Sequence, residues 1–364
     1  MKKVGLVGWR GMVGSVLMER MRAEGDFNHI DACYFSTSQA GETGPDGKKL
    51  KDAADLQALA DMDVVLTCQG GDWTKDVHPR LRALGWKGHW IDAASALRME
   101  KDAVIILDPV NQTMIDRGLN DGVRDWIGGN CTVSLMLLAV GALYKRGWVE
   151  WMTTQTYQAA SGAGARNMVE LLKQMQFFSD QLRADLAGEA SGRALEIEKK
   201  LGALMAHPEF PQAAFGHPLA ANLLPWIDSA LENGQSREEW KGQVETNKIL
   251  GNTKPVPIDG TCVRVGALRC HSQALTLKLT RDIPLKEIED AIRSDNEWVR
   301  LVPNDRGETL KNLTPQAVSG KLHIPVGRLR KMTLGNEFVN AFTCGDQLLW
   351  GAAEPLRRML RQVV

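Results

Sequence analysis

Short apolar runs alternate with stretches of helical periodicity along residues 1–130. Val4-Gly5-Leu6-Val7 predicts a buried strand, and residues 12–21 place apolar side chains at the spacing of one helix face. Four further apolar runs predict strands at residues 32–35, 64–68, 90–93 and 104–107. Strands that alternate with helices predict an α/β fold with a doubly wound parallel sheet, as in Rossmann-like dinucleotide-binding domains.

The pattern changes after residue 130. Amphipathic stretches around residues 166–186 and 236–250 predict helices, and β-patterned segments at 152–158, 261–264 and 274–279 predict strands. This mixture of predicted helices and strands indicates a second, α+β domain. We therefore expect an N-terminal domain over residues 1–129, a second domain over residues 130–351, and a C-terminal helix over residues 352–364 that packs back on the first.

The amino-acid composition limits the kinds of partner that the protein is expected to bind. The 364 residues include 44 basic and 44 acidic side chains, so the formal net charge is zero and no basic surface for nucleic acid is indicated. The six cysteines form no CxxC pair, which disfavours a metal site or a disulfide framework and favours a reducing compartment. The longest apolar run, residues 133–144, is shorter than the roughly 20 residues of a membrane span. We expect a cytoplasmic protein with a small-molecule substrate, no metal and no membrane partner.

The turn after the first predicted strand reads Gly8-Trp9-Arg10-Gly11-Met12-Val13-Gly14. Glycines there allow a tight turn and close approach of a phosphate to a helix N-terminus. The second strand ends in Phe35-Ser36-Thr37-Ser38, without the carboxylate that NAD-binding folds place against the ribose. Arg10 with the hydroxyls of Thr37 and Ser38 is suited to a 2′-phosphate, which favours NADP. The alternative is that these hydroxyls only form a polar turn.

Cys131 is a candidate nucleophile because of its surroundings. It lies in Gly128-Gly129-Asn130-Cys131-Thr132, directly before an apolar run of helical character. A cysteine at a helix N-terminus lies where the helix dipole favours its thiolate. The alternative is an inert, buried cysteine that packs as a small hydrophobe.

Candidate partners for this thiol lie in the second half. Ser236 and Glu239 fit a capping box at the start of a helix, which gives Glu239 a structural role. Glu238 and Lys241 lie three residues apart, so they form either an exposed ion pair or a ligand site. The segment Arg264 to Gln273 contains two arginines and His271 in a β-like pattern, either as a solvated edge or as the lining of a site.

Together these segments resemble the bacterial aspartate-β-semialdehyde dehydrogenases. The resemblance runs from Met1 to the C-terminal helix. It rests on residues 8–14, 35–39 and 67–71 (Thr-Cys-Gln-Gly-Gly), on 128–132 and 157–162 (Tyr-Gln-Ala-Ala-Ser-Gly), and on 236–241 and 264–273.

The resemblance implies an NADP-dependent enzyme that interconverts aspartate 4-semialdehyde and 4-phosphoaspartate on the route to lysine, methionine and threonine. It further implies a homodimer whose second domain serves catalysis and dimerisation. Cys131 would be the acyl-forming nucleophile, His271 the acid/base, Gln158 the residue that orients the acyl group, and Asn130 an oxyanion donor. Arg264 and Glu238 would bind the substrate carboxylate and amino group, and Arg98 with Lys241 the phosphate. The implied NADP contacts are Arg10, Gly11, Met12, Val13, Thr37, Ser38, Gln69, Ser161, Gly162 and Gln347.

Two questions stay open at this point. Arg264 and His271 are seven residues apart, so one unbroken strand would point them to opposite faces, and a turn or bulge near Gly266 is needed if both reach one site. A cysteine hydrolase would also need Cys131 and His271, but not the N-terminal phosphate turn. A dinucleotide-binding sensor would keep that turn without needing the thiol.

Overall fold

The computed structural model describes residues 1–188 and 190–364. The first half forms a seven-stranded parallel sheet in the order β3-β2-β1-β4-β5-β7-β6. Its strands are β1 (Lys2–Val7), β2 (Ile30–Ser36), β3 (Lys51–Asp52), β4 (Val64–Thr67), β5 (His89–Asp92), β6 (Ala103–Ile106) and β7 (Asp125–Gly128). Its helices are α1 (Met12–Ala23), α2 (Leu56–Ala60), α3 (Gly71–Ala83) and α4 (Asp108–Asn120).

The strand order reverses between β1 and β4, and open α/β sheets bind their ligands at such a point. Gly8 follows β1 with φ of 70°, and a Cβ on it would lie 2.5 Å from the backbone nitrogen of Gln69. A Cβ on Gly14 would lie 2.2 Å from the carbonyl oxygen of Gly8. Only glycine therefore lets the turn fold tightly against the N-terminus of α1.

The second half contains a mixed seven-stranded sheet in the order β12-β13-β14-β11-β8-β10-β9. Its strands are β8 (Val149–Gln158), β9 (Leu223–Leu224), β10 (Ile258–Val265), β11 (Cys270–Leu279), β12 (Val299–Leu301), β13 (Ile324–Met332) and β14 (Gly335–Asp346). The helices are α5 (Cys131–Lys145), α6 (Ala165–Leu182), α7 (Ala194–Met205), α8 (Arg237–Leu250), α9 (Leu285–Arg293), α10 (Arg306–Asn312), α11 (Pro315–Val318) and α12 (Glu354–Val363).

Helix α5 is the centre of the second core. Every residue from Thr132 to Tyr144 is buried, and the helix packs against α8, α9 and the inner face of the second sheet. The same core includes Ile105 and Leu107 of the first half, so α5 joins the two sheets. A helix that is apolar on all sides is typical of such a central position.

The chain returns to the first sheet at its C-terminus. A π-helical turn over Leu349–Ala353 leads into α12, which packs against α1, β5 and β7. Because the two sheets have largely separate cores, we propose the division at residues 129 and 351 that the sequence suggests.

The structure confirms the strands expected near residues 4, 32, 64, 90 and 104, and the helices expected near residues 12, 166 and 236. It adds β7 and the long hairpin of β13 and β14, which the sequence pattern did not predict. Within the described residues, no helix combines the length and the apolarity that crossing a membrane requires.

Gly14→Ala tests the tight contact between the first turn and α1. We expect the free energy of unfolding to fall by about 1–3 kcal/mol, because the added methyl group overpacks the turn. Gly71→Ala is the matched control at the start of α3, since its added Cβ has no neighbour closer than 3.9 Å. Thermal unfolding of both variants checks this. Equal stability of Gly14→Ala and the unaltered protein would contradict it.

Candidate active site

Cys131 is the first residue of α5, and the residue before it caps the helix. The side-chain oxygen of Asn130 accepts hydrogen bonds from the backbone N–H of Thr132 at 2.9 Å and of Val133 at 3.3 Å. Because Asn130 satisfies these free donors of the first turn, the helix begins at a fixed residue. The cap therefore fixes where the thiol lies.

His271 lies against this thiol. Its Nε2 is 3.1 Å from Cys131 Sγ, and its ring is fully buried. Arg264 and His271 reach the same site because they belong to two strands, β10 and β11, which flank the end of β8 on opposite sides. The expected break near Gly266 is thus the loop between β10 and β11, which passes the end of β8. Ala160, two residues after β8, donates its backbone N–H to the carbonyl oxygen of Ala267 in this loop.

The resting pair is neutral. Burial, with Glu238 nearby, raises the pKa of Cys131 to about 12, although Arg264, Arg98 and Lys241 act in the opposite direction. Burial, with Arg264, lowers the pKa of His271 to about 3. The thiolate expected from the helix N-terminus is therefore not the resting state, because loss of hydration outweighs the favourable charges.

Helix α8 turns one face towards Cys131. The capping box of Ser236 and Glu239 is confirmed, and it fixes the start of this helix. Lys241 Nζ lies 3.0 Å from Glu238 Oε2, and Glu238 Oε1 accepts from Gln158 Nε2 at 3.1 Å. The same oxygen accepts from Asn130 Nδ2 at 2.9 Å. Of the two alternatives for Glu238 and Lys241, the exposed ion pair is excluded, because the pair is largely buried beside the nucleophile.

The charges of this pair support each other. Burial acts to raise the pKa of Glu238, but Lys241, Asn130 and Gln158 outweigh it and lower the pKa below its usual value. Burial acts to lower the pKa of Lys241, but Glu238 and Asp228 outweigh it and raise the pKa. Both groups are therefore charged at neutral pH.

Glu245 is a buried contributor that the sequence analysis did not single out. One of its oxygens accepts from the backbone N–H of Asn130 at 2.7 Å, and the other accepts from Arg98 at 3.1 Å. Arg98 in turn donates to the carbonyl oxygens of Gly128 and Gly129. The signal in the sequence is the spacing of Glu245, seven residues after Glu238 and so on the same helix face.

Two further neighbours escaped the sequence analysis. Asp228 Oδ2 accepts from Lys241 Nζ at 2.8 Å, which gives this lysine a second carboxylate partner. An added Cβ on Gly351 would lie 2.7 Å from Cys131 Cβ, so the π-helical turn packs directly on the nucleophile. No pattern in the sequence brings residues 228 or 351 to the site, because tertiary packing alone does so.

A cavity of about 580 Å³ opens in front of Cys131. The predicted site residues that line it are Asn130, Gln158, Arg264, Glu238, Arg98, Lys241, Met12, Val13, Ser161, Gly162 and Gln347. Arg264 is buried and donates to Ala159 O at 2.7 Å, and Gln347 donates to Ser161 Oγ at 2.8 Å. His271 does not line this cavity, because it lies behind the thiol under Gly162.

A second cavity, of about 490 Å³, holds the other predicted cofactor residues: Arg10, Gly11, Thr37, Ser38 and Gln69. Arg10 donates to Ser36 Oγ at 2.8 Å and lies 3.5 Å from Ser38 Oγ. Both cavities reach the N-terminus of α1, since Gly11 lines one and Met12 the other. Because the N-cap residue is Gly11, it offers the first N–H groups no side-chain acceptor, which suits an anion. An elongated dinucleotide fits this pair of cavities.

The described residues contain no cluster of three or more His, Cys, Asp or Glu suited to a metal ion.

Comparisons with known proteins agree with this geometry. Residues 3–117 match the family model of the semialdehyde dehydrogenase NAD binding domain, and residues 140–350 match that of the semialdehyde dehydrogenase dimerisation domain. Aspartate semialdehyde dehydrogenase from Francisella tularensis is 49% identical over 100% of both chains, with a TM-score of 0.96.

Two more distant structures share the fold. Aspartate semialdehyde dehydrogenase II from Vibrio cholerae, complexed with ASA, is 23% identical over 99% of this chain and 97% of its own, with a TM-score of 0.79. Aspartate semialdehyde dehydrogenase from Candida albicans, solved with NADP, is 18% identical over 100% of this chain and 98% of its own, with a TM-score of 0.67.

A nucleotide-binding sheet joined to a second α+β domain places the protein among the two-domain, NAD(P)-binding oxidoreductases. The chain belongs to the semialdehyde dehydrogenase family, whose members oxidise or reduce an aldehyde group.

The raised pKa of Cys131 makes its reactivity depend on pH. Because only the thiolate reacts, we expect alkylation by iodoacetamide to accelerate about tenfold per pH unit between pH 7 and pH 9. Mass spectrometry of the peptide that carries Cys131 separates it from the other five cysteines. A rate that levels off below pH 8 would contradict the neutral resting pair.

Proposed function

We propose that the protein is an NADP-dependent, phosphorylating aspartate-semialdehyde dehydrogenase. It would interconvert L-aspartate 4-semialdehyde, phosphate and NADP⁺ with 4-phospho-L-aspartate and NADPH, in the biosynthesis of lysine, methionine and threonine. The observation that carries the proposal is Cys131 Sγ at a helix N-terminus, 3.1 Å from His271, beside a cavity that continues to the nucleotide turn. The 49% identity with the Francisella enzyme supports the assignment of aspartate semialdehyde as the substrate.

The covalent step belongs to Cys131. Its thiolate adds to the aldehyde carbon, and loss of hydride from that carbon leaves a thioester. NADP, when bound, accepts the hydride. Phosphate then attacks the thioester carbon, and the cysteine sulfur leaves with its electron pair. The negative oxygen formed in each addition needs donors, and the Asn130 side chain with the Cys131 N–H is suited to this role.

Two opposite charges in one cavity are suited to bind the amino-acid part of the substrate. Arg264 is buried and positively charged, which suits the substrate carboxylate, and Glu238 suits its ammonium group. Gln158 donates to Glu238 and lies at the end of β8, where it orients the acyl group. A zwitterionic ligand matches this pair better than an uncharged aldehyde does.

Phosphate binding falls mainly to Lys241 in this proposal. Its ammonium has three donors, of which Glu238 and Asp228 take two. Arg98 has fewer free donors, because it already donates to Glu245 and to the backbone carbonyl oxygens of Ala93, Gly128 and Gly129. Its remaining donor on Nη1 supplements Lys241.

The preference for NADP rests on the end of β2. Ser36, Thr37 and Ser38 line the nucleotide cavity together with Arg10. A guanidinium held by hydroxyls favours a 2′-phosphate over a bare ribose, since phosphate accepts several charged hydrogen bonds.

The proposed assembly is a homodimer in the cytoplasm. Alternate residues of β8, from Trp151 to the exposed Tyr157, form an open face of the second sheet within the region that matches a dimerisation domain. Tyr157 and Phe342 pair on this face, with ring centroids 6.5 Å apart. A second copy of the chain would cover these aromatic side chains. The six free cysteines suit a reducing compartment.

Cys131→Ser tests the covalent intermediate. We expect normal folding and NADP binding but a fall in kcat of about 10³ or more, because a serine hydroxyl is far less ionised than a thiol. With aspartate semialdehyde and NADP⁺ but no phosphate, intact mass spectrometry of the unaltered protein should show an acyl adduct on Cys131. Cys68→Ser is the control for a second cysteine near the nucleotide turn. A near-normal rate for Cys131→Ser would remove the assignment.

Arg10→Ala tests the choice of cofactor. We expect KM for NADP to rise about tenfold or more while the slower reaction with NAD changes little, because only NADP carries the 2′-phosphate. Arg22→Ala, at an exposed arginine of the following helix α1, is the control. Steady-state rates with both cofactors decide the matter, and equal use of NAD and NADP by the unaltered protein would refute the preference.

A further inference from the structure

Lys241 is bound by two carboxylates that differ in how firmly they are fixed. Its Nζ lies 3.0 Å from Glu238 Oε2 and 2.8 Å from Asp228 Oδ2. The side chain of Glu238 is 7% exposed, and its other oxygen accepts from Asn130 and Gln158. The side chain of Asp228 is 34% exposed. Glu238 is therefore fixed within the site, whereas Asp228 is the partner of Lys241 that has access to solvent.

The remaining hydrogen bonds of Asp228 are local. Its Oδ1 accepts from the backbone N–H of Ser229 at 2.8 Å, and its carbonyl oxygen accepts from Trp226 Nε1 at 2.9 Å. Ser229 is tied to the start of α8, because its carbonyl oxygen accepts from the N–H of Arg237 at 2.7 Å. The backbone is thus anchored at the next residue, and rotation of one exposed side chain is enough to release Lys241.

The carboxylate of Asp228 is a negative charge in the cavity that Cys131 and Lys241 line. Burial acts to raise the pKa of Asp228, but Lys241, the Ser229 N–H and Arg237 outweigh it and lower the pKa below its usual value. Asp228 is therefore ionised at neutral pH, and Lys241 contacts two negative charges. A phosphate ion that binds Lys241 has to approach Asp228, and repulsion between like charges a few ångströms apart opposes this.

We propose that Asp228 is a competing ligand of Lys241 that phosphate displaces, so that its carboxylate determines how tightly the site holds phosphate. The inference rests on the assignment of phosphate to Lys241 in the proposed function. When phosphate enters, the Asp228 side chain rotates towards solvent, and the freed donor of Lys241 turns to a phosphate oxygen. When the phosphoryl group leaves with the acyl product, the carboxylate returns to Lys241. No covalent bond changes in this exchange, and Glu238 stays in place.

Asp228→Asn removes the charge and keeps the size of the side chain. Asp228 has φ of 72°, and asparagine adopts this left-handed conformation as aspartate does. Isothermal titration calorimetry of the full-length protein with inorganic phosphate measures the effect. We expect the Kd for phosphate to fall about fivefold or more, because one repelling charge is gone. Asp228→Gly, which also suits this φ, should show a similar fall.

Glu232→Gln is the matched control, since it removes an exposed carboxylate from the same loop, and it should leave the Kd for phosphate unchanged. Steady-state constants separate competition from a structural effect. In Asp228→Asn, KM for phosphate should fall by the same factor as Kd, while KM for aspartate semialdehyde changes less than about twofold.

A raised or unchanged Kd, or no phosphate binding, in both Asp228 variants would overturn the proposal, because Asp228 would then not compete for Lys241. An equal fall in Glu232→Gln would also overturn it, since the effect would then be one of general surface charge. If the unaltered protein forms no NADPH from aspartate semialdehyde, the proposed function fails. The titration with phosphate alone still decides the role of Asp228 in that case.

Discussion

The cap on helix α5 is the interaction on which the rest of the site depends. Asn130 uses its side-chain oxygen to begin the helix, its backbone N–H to contact Glu245, and its side-chain nitrogen to contact Glu238. All of these hydrogen bonds are made by the residue directly before the nucleophile. The position of Cys131 is therefore set by a helix from the other side of the cavity, and not by the glycine turn alone.

Burial of charge follows from this arrangement. Glu238 and Glu245 are both buried, and each needs a cation, which Lys241 and Arg98 supply. Such pairs add little net stability, but removal of one partner leaves an unpaired buried charge and costs about 3–5 kcal/mol. Glu238, Lys241 and Arg98 of these pairs line the cavity, so groups that hold the nucleophile loop in place also give the site its charge pattern.

The sequence predicted what local pattern controls. The five strands of the parallel sheet that carry clear apolar runs, the glycine turn and the capping box of α8 all follow from spacing and composition. Strand β7, with only Trp126 and Ile127 as apolar residues, is too short for such a signal. Asp228 and Gly351 reach the site only through tertiary packing, and burial reverses the ionisation of Cys131 that a helix N-terminus alone favours. Local sequence patterns therefore identify the reactive residues, while the folded environment determines the protonation state of Cys131.

The central claim is that a thioester on Cys131 is resolved by phosphate. The most direct measurement follows NADPH absorbance in the purified protein with aspartate semialdehyde and NADP⁺, with and without inorganic phosphate. The account predicts sustained NADPH formation that requires phosphate, and a brief burst of about one equivalent per site in its absence. Sustained turnover at the same rate without phosphate would contradict the account, because water and not phosphate would then release the acyl group.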